Sequence, residues 1–138
     1  MKTRVYALLG ATFLGAGLIA CAPAEAPADV DVAGEFHEVY SCEESCAGAP
    51  AQTIDGEVDM TLTADGATIT RVDDDGTDWT GTFAGQTIEF STSDGDYSED
   101  SVFTIDETVD GVVQSFTLTS EYTFGDCAGT CTGTVVRE

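Results

Sequence analysis

The stretch VDMTLTADGATITRV, residues 58–72, reads as two strands and the turn between them. In its first half Val58, Met60 and Leu62 point one way while Asp59, Thr61 and Thr63 point the other, the period-2 alternation of a strand with one buried face. Ala64-Asp65-Gly66 turns the chain, and ATITRV resumes with β-branched residues. The pattern continues in both directions. After DDDGTD (73–78) come WTGTF and, past Ala84-Gly85, QTIEFST, with Trp79, Phe83, Ile88 and Phe90 as candidate core. DGDYSED (94–100) separates these from SVFTI, and VDG (109–111) leads into VVQSFTLTSEYTF, where Val112, Phe116, Leu118 and Tyr122 share a face. With EFHEVY (35–40) and CTGTVVRE (131–138) the count is about eight strands.

Short strands joined by Asp-Gly and Gly turns, with no helical period of useful length beyond the first 20 residues, predict an all-β antiparallel up-and-down meander. A meander of this length hides its edges by curling into a small barrel of lipocalin-like topology. No lipocalin signature motif is present, so the term describes shape alone. A two-sheet sandwich is the fallback.

The N-terminal segment has a different composition. Lys2 and Arg4 precede a mostly apolar run, Val5–Ile19, that is short for a bilayer span and has the organisation of a secretory signal peptide. The run ends Leu18-Ile19-Ala20-Cys21, which resembles the lipobox of bacterial lipoproteins. The resemblance covers residues 1–21. It implies cleavage before Cys21, lipidation of that cysteine and attachment to a membrane of the cell envelope; Ala22, not Asp, after the cysteine implies the outer membrane. Three segments follow from this reading: a signal peptide (1–20), a lipidated Ala/Pro/acid-rich tether (21–34) that reaches roughly 45 Å when extended, and a β-domain (35–138).

Charge narrows the partners. Loss of Lys2 and Arg4 leaves 26 acids against Arg71 and Arg137, a formal charge of −24 for the mature chain. Such a surface repels nucleic acid and anionic lipid, so the expected membrane contact is the anchor on Cys21. The acidity reads first as a device for solubility, with capture of a cation such as calcium or docking of a basic protein as the alternatives, and a barrel mouth could also hold a small apolar ligand. Frequent apolar residues in strand period argue against disorder.

Cys42, Cys46, Cys127 and Cys131 form two C-x3-C pairs, one near each end of the domain, in a chain read as exported to an oxidising compartment. If each pair lies on a strand, its cysteines stand about 13 Å apart and local bonding is excluded. Opposed residues on antiparallel strands have a constant index sum, and Cys42 with Cys131 and Cys46 with Cys127 share one. In an eight-strand meander the first and last strands run antiparallel, which favours this pairing over Cys42–Cys127 with Cys46–Cys131. Ser41-Cys42-Glu43-Glu44 also resembles a helix-capping box, and on a helical turn local bonds become geometrically allowed. A four-cysteine zinc site is the remaining alternative and is disfavoured by the compartment.

Catalytic constellations are scarce. His37 is the only histidine and falls in a strand pattern as a half-exposed residue. With no mature lysine and no free thiol after oxidation, nucleophile–base pairs are nearly absent, and no catalytic residue, metal site or cofactor is expected. Asp73, Asp75 and Asp78 could supply calcium ligands, but their spacing is not that of an EF-hand, and turn chemistry accounts for the stretch. The expected function is a non-enzymatic, lipid-anchored envelope protein whose acidic barrel binds or displays a ligand or partner. Trp79, Tyr97 and Tyr122 are candidate ligand contacts, with core filling the favoured role of Trp79. The alternative, resting on charge and architecture, is an inhibitor of a basic extracellular enzyme such as a lysozyme.

Overall fold

The computed structural model describes residues 30–138. The segment read as a signal peptide and the lipidation candidate Cys21 lie outside them. Eight strands follow one another: β1 (Gly34–Cys46), β2 (Gln52–Asp65), β3 (Thr68–Asp73), β4 (Asp78–Ala84), β5 (Thr87–Asp94), β6 (Tyr97–Val109), β7 (Val112–Phe124) and β8 (Cys127–Arg137). Each pairs antiparallel with the next, and β1 pairs antiparallel with β8, closing an up-and-down barrel with no free edge. The barrel, not the sandwich, is the outcome.

Five of the seven hairpin links are two residues long; four open on a glycine with positive φ (Gly66, Gly85, Gly95 and Gly125), and the fifth is Asp110-Gly111. Both residues have positive φ (51° and 80°), the type I′ geometry whose twist matches that of the flanking strands.

The strands run further than the alternation suggested. β2 starts at Gln52, six residues before Val58, so Gly56 is a strand residue. β6 starts at Tyr97, which reduces the separator read at 94–100 to Gly95-Asp96 and makes Tyr97 and Glu99 part of the wall. One phase is corrected. Between β6 and β7, Ile105 pairs with Phe116 but Thr108 pairs with Val113, skipping Asp106 and Gln114. The irregularity reverses the alternation at the start of β7, so Val113 and not Val112 enters the core.

The barrel has two unlike halves. The half holding the β2–β3, β4–β5 and β6–β7 turns is packed solid with Phe36, Leu62, Ile69, Phe83, Ile88, Phe90, Phe103, Val113, Phe116 and Val135. Phe103 touches both Phe90 and Phe116, at centroid distances of 5.2 and 5.7 Å. Each such side chain contributes roughly 1.5–3 kcal/mol on burial. Residues Val30–Ala33, in the stretch read as tether, lie across this end: Asp31 bridges to Val112, and Val32 is buried in the core. Arg137 holds them there, donating from Nη1 to the Ala33 carbonyl (2.9 Å) and from Nε to that of Val113 (2.7 Å), with its guanidinium 4.7 Å from the Phe36 ring centroid. The chain therefore enters at the closed end.

Candidate functional site: an aromatic cup at the open end

The C-x3-C segments lie within β1 and β8, so no helical turn forms at Ser41–Glu44. Cys42 stands opposite Cys131 and Cys46 opposite Cys127 in the β1–β8 register, with S–S distances of 2.01 and 2.00 Å. The two bonds sit on the seam that closes the barrel, toward its open end.

Inside that end is a cavity of about 280 Å³, lined by residues from seven of the eight strands, all but β5. The aromatic lining is Tyr40 from β1, Trp79 from β4, Tyr97 from β6 and Tyr122 from β7. These are all the tyrosines among the described residues and the only tryptophan of the chain. Trp79, Tyr97 and Tyr122, singled out from the sequence, thus come together. Trp79 is half-buried, packing on the core as expected while also lining the cavity.

Glycines keep the cup open. Tyr40 lies against Gly56 on β2, where a Cβ would sit 2.3 Å from the phenol oxygen. Tyr122 lies against Gly129 on β8, where a Cβ would sit 2.3 Å from a ring carbon. Two rings that could otherwise cross the lumen are instead laid along the wall over glycines directly paired with them in register.

The polar lining is built around Arg71, which is 6% exposed. Its Nη1 donates to Glu38 at 2.9 Å and its Nε to Asp73 at 2.5 Å. Its guanidinium carbon lies 5.5 Å from the Trp79 ring centroid and 5.4 Å from that of Phe103. Trp79 Nε1 donates to the other oxygen of Asp73 at 3.2 Å. Burial pushes the Glu38 carboxyl above its ordinary value, and Arg71 pulls against that shift. Glu99 accepts from the hydroxyls of Tyr97 and Ser101. Tyr122 donates to Glu44 at 2.6 Å. Burial first, and then the bond to Glu99, push the Tyr97 phenol upward; burial first, and then Glu44, push Tyr122 up to about 12. Both phenols therefore remain protonated donors at neutral pH.

Glu38, Arg71 and Glu99 were not singled out in the sequence, although one signal was present. Phe36, Glu38, Tyr40 and Cys42 alternate in phase, as do Ile69 and Arg71, so a charge occupies an inward position in each run.

Of the acidic-turn candidates and His37, Asp73 alone lines the cup. Asp73 points at Arg71 and Trp79, while Asp75 accepts the Thr77 amide at 2.8 Å and its carboxyl is held low mainly by that bond, as turn chemistry predicts. His37 is on the outer wall, its Nδ1 2.6 Å from Asp59 Oδ1 across the β1–β2 pair. Comparison with protein-family models, curated proteins and solved structures finds no match to this chain.

Proposed function

We propose that the protein is a lipid-anchored, non-enzymatic component of the cell envelope whose barrel binds a small molecule in the aromatic cup. The observation that carries this is the convergence of Tyr40, Trp79, Tyr97 and Tyr122 on one cavity, with inward glycines where larger residues would fill it. The orientation is consistent with it. The chain enters at the packed end, so a tether running to Cys21 leaves the mouth of the cup facing away from the membrane. The ligand would then be taken from the aqueous side.

The test is a mass spectrum of the protein purified from envelope membranes. The N-terminal peptide should begin at Cys21 and carry acyl chains, and organic extraction of the native protein should release a small molecule while changing Trp79 emission. An unmodified N-terminus would overturn the anchor. A native protein that releases nothing and keeps its emission would overturn the ligand reading.

A second reading has its own support. Both arginines of the described residues are engaged, Arg71 in the cup and Arg137 at the closed end, so the acidic exterior carries no free lysine or arginine there. Such a surface suits electrostatic capture of a basic protein, including inhibition of a lysozyme-like enzyme.

A further inference from the structure

The cup has more carboxylates than cations. Glu38, Asp73 and Glu99 line it together with one positive group, Arg71. Arg71 is already committed to Glu38 and Asp73. Glu99 has no ion-pair partner among the described residues; both of its oxygens accept from neutral hydroxyls, those of Tyr97 and Ser101. Beside it the rings of Tyr97 and Tyr122 lie 6.4 Å apart, centroid to centroid. The Arg71 guanidinium over Trp79 shows that one ring face of this lining already holds a cation.

We propose that the cup binds an organic cation, an amine or quaternary ammonium with an apolar or aromatic body, whose charged head sits against Glu99 and the rings of Tyr97 and Tyr122. The inference rests on the reading of the cup as a ligand site and adds the charge and shape of what it takes. Three considerations select this class. A carboxylate inside a partly desolvated, aromatic-walled cavity attracts a monocation more strongly than it would in water. The apolar lining from Ile54, Val58 and Leu118 matches a hydrocarbon body, which a bare metal ion lacks. An anion would meet the field of three carboxylates and an arginine whose Nε and Nη1 are already used.

The experiment compares three probes of similar size on the purified mature protein, read by calorimetry and by the emission of Trp79: benzyltrimethylammonium, its neutral isostere neopentylbenzene, and benzenesulfonate. The cation should bind at least about tenfold more tightly than either of the others. Glu99→Gln should weaken the cation by about tenfold and leave the neutral probe unchanged, whereas Asp100→Asn, the same charge change on the outer face next door, should leave both unchanged. Should Glu99→Gln fail to fold, Tyr122→Leu, which removes a ring face and no charge, must still weaken the cation several-fold. Equal binding of the neutral probe, or tighter binding of the sulfonate, overturns the cation proposal and leaves the cup a ligand site. Equal losses from Glu99→Gln and Asp100→Asn overturn the placement at Glu99. Failure of all three probes to bind or move Trp79 emission overturns the proposal and the ligand reading together.

Discussion

His37 shows how a single outward position reports on its cross-strand neighbours. Its imidazole faces Asp59 at 2.6 Å and Glu57 at 3.9 Å, and the hydrogen bond to Asp59 is the main reason its pKa is raised above 6.5. Burial opposes that shift; the charges of Asp59, Glu57 and Glu138 add to it. The sign follows from the raised value: the pair favours the folded state below the unfolded pKa, and that contribution disappears as pH rises through the folded one. Because the chain has one histidine, a proton NMR titration shows a single imidazole. Its midpoint should lie above 6.5, and Asp59→Asn should bring it back toward that value. No change in the variant would mean that the pair does not form in solution.

At the scale of elements, the closed end depends on a segment that is not a strand. Val30–Ala33 crosses the bottom of the barrel, its backbone bonded to Gly111 and Val113 through Asp31, and its one fully buried side chain is Val32, 2% exposed. Val32→Ala removes two methyl groups from a packed site and should destabilise the protein by about 1.5 kcal/mol. Val136→Ala, on the outer face and 50% exposed, makes the same chemical change and should stay within about 0.5 kcal/mol. Urea denaturation of the two variants checks the difference. Equal effects would show that the segment is not held against the core.

For the whole molecule, both disulfides lie on the one seam that joins the ends of the chain. They close nested loops of 89 and 81 residues, and the chain-entropy model assigns about 4 kcal/mol to the first bond that closes such a loop. Since either bond alone brings β1 to β8, their contributions are not additive. Replacing one pair by alanine, Cys42 with Cys131 or Cys46 with Cys127, should cost well under half of what replacing all four costs. Chemical denaturation of the three variants measures this. Two equal and additive losses would mean that each bond restrains the denatured chain independently.

The number of strands, the hairpin positions and the cysteine register were legible in the sequence because each depends on neighbours along the chain or on one index relation. Alternation in VDMTLT sets a strand face, Asp-Gly accommodates the φ values a tight turn requires, and two C-x3-C pairs on antiparallel strands share one register. Other features needed the tertiary structure. Closure into a barrel depends on β1 meeting β8 across nearly the whole domain, and the same alternation would serve a sandwich. The phase of Val113 follows from a pairing irregularity between β6 and β7 that residue pattern alone does not encode. The cup depends on both. Tyr40, Trp79, Tyr97 and Tyr122 come from four strands, and Glu38 and Arg71 are 33 positions apart. Only the curvature and stagger of a closed sheet bring them around one cavity, because side chains on different strands meet according to long-range pairing and not local propensity.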